Sequence, residues 1–411
     1  MTTISSSSAT PIDYAHPYII CHDTSSKALS VWTCTGEPQL HATLEGEASS
    51  TARSYVAAPD RIVTQSIDGT ASTILVHSLP DGQLLNAHAL GSGAVYISRK
   101  GLIAKWDDER AKSHVYGLTE NGKLARLGDL SSPVEEALDS PSGSDIPQGV
   151  YLTAEAFVHS QVRYPDPTVH LTCLSSTPPR RASFGLTRAP PDDIPGVVMN
   201  SMLVDAIPIS SSSSPSFVMA HVEQVLGFNE DNPKTALRSI DPQTLALGWC
   251  TLIDQQTEWL RYSAATNVVV AYGWMGVEQG TGIIVLDATT GTVLRAEPIG
   301  KPKEKCGALS GSGVYCDLTP AGDTLVVVFG DGQLAVAPLV TFAANGFVRE
   351  GDSGLLVTIP CPEFALATPT NSKERRSKVN GSWAWIKRAF VADGVVVVVP
   401  NKGSDFAVLR W

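Results

Sequence analysis

The chain has 411 residues, of which 43 % are hydrophobic and 17 % are charged, and its formal net charge is −11. This composition is sufficient for a sizeable core and excludes wholesale disorder. The acidic balance disfavours binding to nucleic acid, and no apolar stretch approaches the roughly 18 residues that a membrane-spanning helix needs.

The N-terminal segment 1–15 is rich in Ser and Thr and lacks the basic start and apolar stretch of a secretion signal. We expect this segment to be disordered and the protein to be cytoplasmic or nuclear. The 7 cysteines are scattered and form no CxxC pair. This favours free thiols in a reducing compartment over a disulfide framework or a zinc site. We therefore predict no metal and no cofactor.

From Ser30 onward one pattern returns along the chain: an apolar strand, a tight turn and a second apolar strand. The turns contain Asp-Gly, Asn-Gly or Thr-Gly pairs, which supply the positive φ angles of two-strand hairpins. Within two series, successive turn glycines are about 40 to 46 residues apart, a period typical of propeller blades. These glycines are Gly36, Gly82 and Gly122, and then Gly291 and Gly332.

A second apolar hairpin precedes each of these turns, so each unit has four strands, as a β-propeller blade does. The sequence therefore predicts an all-β fold, a single seven-bladed or alternatively eight-bladed β-propeller over residues 16–411. The predicted units cover residues 52–92, 93–130, 147–187, 195–253, 257–299 and 305–345.

The two ends of the chain are predicted to share a blade. The C-terminal strands at 389–400 and 406–411 would pair with the N-terminal strands from Tyr18, which would close the ring and hide its edge strands. Segments rich in Ser, Pro and charged residues predict loop insertions between blades. These insertions are expected near 131–148, 187–197, 207–216 and 364–380.

The segment LDATTGTVL at Leu286–Leu294 resembles the repeat turn of quinoprotein-type (PQQ-like) propellers, and the overall spacing resembles the WD40-like superfamily. The chain departs from both patterns. It contains no Gly-His pair, its Trp106-Asp107 pair falls in a different part of the unit, and it lacks the vicinal cysteines of quinone-dependent enzymes. The resemblance implies the propeller fold and transfers no activity.

No motif in the sequence predicts a reaction. Gly351–Gly354 has the form GDSG of a serine-protease nucleophile turn, but the last histidine of the chain is His221, so no general base follows it. We interpret it as a turn. The chain also lacks GxGxxG, Walker and EF-hand sequences.

The 8 tryptophans are the remaining signal for a binding site. We expect most of them to pack between blades. Exposed aromatic side chains at the mouth of a propeller channel provide binding area at low entropic cost, so four positions are predicted as binding residues. They are Trp274, Trp383, Trp385 and Trp106.

Ser183 follows Arg180-Arg181-Ala182, which has the form of a basophilic kinase site. We predict Ser183 as a candidate phosphorylation site.

Two functions stay open on these observations. The first is a non-catalytic protein–protein interaction platform, whose partner is another protein. The alternative is an enzyme or small-molecule binder of the cyclase, isomerase or hydrolase type, with the small molecule in the central channel. Such a site gathers residues from several blades and leaves no contiguous motif. Neither function involves nucleic acid or a membrane.

Overall fold

The structure is a computed structural model of the whole chain. It describes residues 2–4, 9–15, 17–23, 28–33, 39–44, 54–58, 60–79, 81–93, 95–97, 103–107, 112–130, 150–152, 156–161, 168–173, 180–185, 198–210, 215–225, 234–241, 244, 246–276, 278–299, 314–329, 334–346, 386–392, 394–400 and 406–411.

The described strands form eight small sheets, and in seven of them the strands follow one another in chain order. After β1 (Thr2–Ile4), the first sheet contains β2 (Ala9–Ala15), β3 (Tyr18–Asp23), β4 (Leu29–Thr33) and β5 (Gln39–Thr43). The second contains β6 (Ser54–Ala58), β7 (Arg61–Asp68), β8 (Ala71–Ser78) and β9 (Leu84–Ser92). The third contains β10 (Val95–Ile97), β11 (Ile103–Asp107), β12 (Lys112–Leu118) and β13 (Leu124–Leu130).

The following sheets repeat this arrangement. The fourth contains β14 (Val150–Leu152), β15 (Ala156–Gln161), β16 (Thr168–Cys173) and β17 (Arg180–Gly185). The fifth contains β18 (Val198–Ser210), β19 (Pro215–Val225), β20 (Lys234–Ile240) and β21 (Leu247–Ile253). The sixth contains β22 (Gln256–Ser263), β23 (Val268–Trp274), β24 (Thr281–Asp287) and β25 (Val293–Pro298).

The last two sheets depart from the pattern. The seventh has three strands, β26 (Val314–Leu318), β27 (Thr324–Phe329) and β28 (Leu334–Pro338), and is followed by the helix α1 (Leu339–Asn345). The eighth contains β29 (Ile386–Ala392), β30 (Val395–Pro400), β31 (Phe406–Arg410) and β1. In it Thr2–Ile4 pairs antiparallel with residues 406–408.

The chain divides into two compact units, and the first covers residues 1–159, 171–181 and 403–408. Within it the first three sheets stack face to face. Ile20 and Val31 of one sheet pack against Ile62 of the next, and Val63 and Val76 of that sheet pack against the third sheet. Because neighbouring residues of β7 point to opposite faces, one strand contributes to both cores.

The second unit covers residues 160–170, 182–402 and 409–411. Val270 and Tyr272 of β23 pack towards the seventh sheet, while Val269 and Ala271 pack towards the fifth sheet. The strand is therefore buried on both faces, which explains its continuous apolar sequence.

In several sheets the first strand lies near a neighbouring sheet and the fourth strand lies in solvent. The first strands of successive sheets contact each other, β2 with β6 in the first unit, and β18 with β22, β22 with β26 and β26 with β29 in the second. The fourth strands β5, β9, β21 and β25 are largely exposed. In these sheets the first strands therefore lie on the side facing neighbouring sheets, which we call inner, and the fourth strands lie on the solvent side, which we call outer.

Five of the six predicted units match four-stranded sheets closely, whereas the unit 305–345 contains three described strands, from Val314 to Pro338, and the structure differs from the sequence-based prediction in three further places. The segment 1–15, predicted to be disordered, contains β1 and β2. The strand that joins the C-terminal strands is Thr2–Ile4, whereas Tyr18 begins the second strand of the first sheet. Segment 207–216, predicted as a loop, lies mostly in the long hairpin of β18 and β19.

The physical reason is the same in each place. A short segment forms a strand where a neighbouring strand supplies hydrogen bonds, as for Thr2–Ile4 against residues 406–408, so local composition alone does not separate a strand from a loop or fix its partner. The other predicted insertions, near 131–148, 187–197 and 364–380, lie outside the described residues.

Candidate functional site

A group of aromatic and charged side chains lies on the first two strands of the sixth sheet and the first strand of the seventh. We call it the Trp259 cluster, and it contains Trp259 and Arg261 of β22, Tyr272 of β23 and Asp317 of β26. All four belong to the second unit. The contact between β22 and β26 brings them together.

The aromatic part of the cluster is a stacked pair. The rings of Trp259 and Tyr272 lie with their centroids 5.1 Å apart and an interplanar angle of 17°. Tyr272 is buried in the core between the two sheets, and Trp259 packs against that core while partly exposed. The guanidinium carbon of Arg261 lies 4.7 Å from the centroid of Trp259. This is the geometry of a cation–π contact, and it fixes the orientation of the arginine.

Arg261 also forms a two-point ion pair with Asp317. Its Nε donates to Oδ1 at 2.6 Å and its Nη2 donates to Oδ2 at 3.1 Å, while Nη1 donates to the carbonyl of Leu260 at 2.9 Å. The two side chains are 31 % and 32 % exposed. A bidentate pair with restricted solvent access is geometrically specific, so the charge of Arg261 is neutralised by Asp317.

Glu258 differs from its neighbours because it has no such partner. It lies at a β-bulge, since Thr257 pairs with Gly273 and Trp259 with Tyr272, which leaves residue 258 unpaired on β23. Its side chain is exposed to solvent, yet burial by surrounding protein raises its pKa to about 7. Because water reaches the side chain, the shift carries a reduced energetic weight.

A second ionic group lies in the third sheet. His114 Nδ1 is 2.9 Å from Asp129 Oδ1 and His114 Nε2 is 3.3 Å from Asp107 Oδ2, with the roles of the ring nitrogens set by the tautomer. Arg126 donates to the same Asp129 carboxylate. Burial raises the pKa of Asp129, but the hydrogen bonds from Arg126 and His114 lower it by more than burial raises it. The pKa of Asp129 therefore lies below its ordinary value. The group ties β11, β12 and β13 together.

The outer strands expose aliphatic side chains at a repeated position. Leu84 and Leu85 begin β9 and are 37 % and 41 % exposed, and Val293 and Leu294 begin β25 and are 42 % and 47 % exposed. Each pair begins two residues after a turn glycine of positive φ, Gly82 or Gly291. On β21, the fourth strand of the fifth sheet, Leu247 is 54 % exposed.

Contacts between sheets hold these turns in place. The indole of Trp249 on β21 packs directly against Gly291, and Thr251 Oγ1 donates to the Gly291 carbonyl at 2.7 Å. In the first unit, Asn86 Nδ2 donates to the Asn121 carbonyl at 2.8 Å. In both cases a side chain of a fourth strand contacts the turn between the third and fourth strands of the next sheet.

Of the residues predicted from sequence, the structure describes the side chain of Trp274. It is half-buried at the end of β23, where it pairs with Gln256 and Thr281. Trp106 lies on β11 and Ser183 on β17, but their side chains are outside the described part. Trp383 and Trp385 lie wholly outside it. The roles of these five residues stay predictions.

The sequence-based prediction missed the Trp259 cluster. Its local signal is the alternation of Trp259, Leu260 and Arg261, which places the aromatic and the cation on one face of a strand. The partner Asp317 is 56 residues away, and the sequence contains no pattern that joins it to Arg261.

Among the described residues, no three His, Cys, Asp or Glu side chains are arranged to hold a metal ion. Within the same part of the chain, no helix has the length and hydropathy that crossing a bilayer requires. Cys21 and Cys316 are buried free thiols, and Cys250 is an exposed one. Burial raises the pKa of both buried thiols above the usual value.

The sequence matches no protein-family model and no curated protein. Solved structures do match. The C-terminal WD40 domain of Sif2 has a TM-score of 0.50 and 12 % identity, with 100 % of this chain and 95 % of that chain covered. Sqt1 from Chaetomium thermophilum has a TM-score of 0.51 and 11 % identity, with 98 % and 97 % covered.

These similarities span whole chains, and at such low identity they concern the fold. They show a WD40-like β-propeller fold built of small antiparallel sheets, as the repeat spacing predicted. They do not extend to the quinoprotein-like resemblance, which stays a prediction from the turn at Leu286–Leu294.

Proposed function

We propose that this protein is a non-catalytic protein-interaction scaffold built on a closed, eight-bladed, WD40-like propeller that acts in the cytoplasm or nucleus. The eight sheets support the blade count. The pairing of Thr2–Ile4 with residues 406–408 supports closure by strands from both ends of the chain. Such a scaffold presents many strand edges and turns on a rigid frame, which suits the recognition of another protein.

The observation that carries the proposal is the repeated exposure of aliphatic side chains on outer strands. An exposed pair at Leu84 and Leu85 and another at Val293 and Leu294 occupy equivalent positions after the turn glycine. Water contact with such side chains costs about 25 cal/mol per Å² of apolar area, so covering them with a partner stabilises a complex.

Around Gly291 the exposed side chains extend over two sheets. Trp249 of β21 contacts Gly291, and Val293 and Leu294 follow that glycine on β25. Leu247 lies two residues before Trp249 on the same strand and is also exposed. An aromatic ring fixed by contacts and flanked by exposed aliphatic residues is the composition expected for the centre of a protein interface.

Site-specific photo-cross-linking tests this proposal. A benzophenone side chain is placed at Leu85 or Leu294, and cells producing the variant are irradiated before gentle purification. Thr70 and Glu278 serve as matched controls, because both are exposed and lie in turns between the second and third strands of their sheets.

A discrete adduct with one polypeptide at Leu85 or Leu294, and not at the two control positions, is the expected result. The same polypeptide should be lost when Leu84 and Leu85, or Val293 and Leu294, are replaced by serine in the folded protein. Equal labelling at all four positions, or no adduct at the outer strands, would overturn the proposal.

A further inference from the structure

The outer edge of β9 lacks the residues that normally prevent an edge strand from pairing with another protein. β9 is the last strand of the second sheet, so among the described strands none pairs with its other edge. Its nine residues, LLNAHALGS, make it the longest of the described fourth strands, and they include no Asp, Glu, Lys, Arg or Pro. An edge strand presents a row of main-chain N–H and C=O groups, and charged residues or proline usually keep other strands away from them.

The other fourth strands differ from β9 in sequence or in length. β13 contains Arg126 and Asp129, β17 begins with two arginines, and β25 contains Arg295, Glu297 and Pro298. β1, β5 and β21 also lack such residues, but they have three, five and seven residues. A long edge without charge or proline is therefore a property of β9 and not of every sheet.

The side chains of β9 divide between its two faces. Asn86 Nδ2 donates to the Asn121 carbonyl at 2.8 Å, and His88 Nε2 lies 3.1 Å from the carbonyl oxygen of Gly122, so one face is fixed against the third sheet. The alternate residues are exposed to solvent, and they are Leu85, Ala87, Ala89 and Gly91. Three of these four are Ala or Gly, which leaves room for another backbone to approach closely.

The main-chain groups of this edge determine the kind of partner that it fits. A second extended backbone can pair with such a row, as in recognition by strand addition. A helix cannot, because its own N–H and C=O groups are bonded within it. The net charge of −11 disfavours a second copy of this chain as the source of the strand, since two copies repel each other. A neutral or basic segment of another protein meets no such repulsion.

We propose that β9 binds an extended segment of a protein partner as a fifth strand of the second sheet. This inference rests on the proposed scaffold function and specifies the conformation and the chemistry of the bound segment. Main-chain hydrogen bonds provide the pairing. β-branched side chains of a segment with few acidic residues pack over Ala87, Ala89 and Gly91.

Cross-linking from successive positions along β9 tests the inference. An amino acid with a short diazirine side chain is placed in turn at Leu85, Ala87 and Ala89, and cells producing each variant are irradiated. Tandem mass spectrometry then locates the partner residue that is attached in each case. Side chains on one face of a strand recur every second residue and lie opposite those of the neighbouring strand. Strand addition therefore gives a pattern that capture of a protein by itself does not.

We expect the point of attachment to move along one partner segment by about two residues for each two-residue step along β9, always in the same direction. Steps of about three or four residues, as on a helix, would overturn the inference. Attachment of one partner residue from all three positions, or of scattered segments, would overturn it too. So would attachment to another copy of this chain.

A pair of lysine variants tests the same edge independently of the attachment points. Ala87→Lys places a charge in the middle of β9, whereas Ala71→Lys places the same charge at an exposed position on the third strand of the same sheet. We expect Ala87→Lys to lower the yield of the adduct at Leu85 about tenfold, and Ala71→Lys to lower it about twofold or less. Equal yields from the two variants, both shown to be folded by circular dichroism, would contradict the inference.

These outcomes separate strand addition from the scaffold function. An adduct at Leu85 without the regular steps, or an adduct at Leu294 alone, leaves the scaffold standing and overturns strand addition. The absence of an adduct at every outer-strand position overturns both.

Discussion

The indole N–H of Trp249 donates a 3.0 Å hydrogen bond to the carbonyl oxygen of Ala288, which lies in the last turn of the following sheet. A related contact joins β25 to the helix that follows the seventh sheet, since Arg295 Nη2 donates to the carbonyl of Asn345 at the end of α1 at 3.0 Å. Side chains of the fourth strands β21 and β25 thus donate to carbonyl groups of the elements that follow them in the chain. Burial of the apolar faces between neighbouring sheets stabilises the interior of the stack.

Gly291→Ala tests the packing of this turn. Gly291 has a φ of 71°, and a Cβ there would collide with the Trp249 ring and Thr251. Gly69→Ala is the matched control, because Gly69 has a φ of 61° but no atom within 4 Å of an added Cβ. We expect the control to lose about 1 kcal/mol of unfolding free energy from backbone strain, and Gly291→Ala to lose about 2 kcal/mol more. Urea denaturation measures both, and equal losses would contradict the contact.

Trp249→Phe tests the hydrogen bond separately from the ring. The variant keeps most of the aromatic surface against Gly291 but removes the N–H that reaches Ala288. We expect a loss of about 1 kcal/mol, the usual net contribution of one hydrogen bond together with a small packing change. Thermal unfolding followed by circular dichroism measures it. A Trp249→Phe protein as stable as the parent would mean that the bond contributes nothing.

Asp317→Asn tests the ion pair of the Trp259 cluster. The change removes the charge that Arg261 faces on a half-buried inner strand, and we expect it to lower the free energy of unfolding by about 1–2 kcal/mol. Asp254→Asn is the control, because Asp254 pairs with Lys234 at an exposed site where water screens the charges. We expect the control to change stability by about 0.5 kcal/mol or less. Urea denaturation measures both variants. A midpoint for Asp317→Asn that is equal to or higher than that of Asp254→Asn would contradict the prediction.

Glu258 predicts a pH dependence of stability. Its pKa is raised from 4.5 to about 7, so between these values the folded state binds more protons at this residue than the unfolded state does. The contribution of Glu258 to the free energy of unfolding therefore falls as pH rises through that window. The full destabilisation is present above pH 7. Glu258→Gln should gain stability at pH 8, on the order of 1 kcal/mol once solvent access is allowed for, and little at pH 4.5. Chemical denaturation at both pH values measures the gain; a larger gain at pH 4.5 would refute the assignment.

The two ends of the chain show how far a sequence-based prediction of this fold extends. Turn glycines such as Gly82 and Gly291 and the alternation of β9 predicted four-stranded units, and five of the six agree with the sheets to within a few residues. Hairpins are local, and their turns demand residue types that a sequence displays. The pairing of Thr2 with Val408 joins residues from opposite ends, and no local pattern marks β1 as a strand.

The sequence by itself determined the repeated hairpins, the buried apolar strands and the acidic charge, because each depends on composition or on neighbours within a few residues. The tertiary structure alone decided that Arg261 pairs with Asp317 and that Glu258 has no partner among the described residues. It also decided that Trp249 faces Gly291 of the next sheet. These relationships depend on the register and stacking of separate sheets, and a change of one residue in register turns every side chain of a strand to its other face.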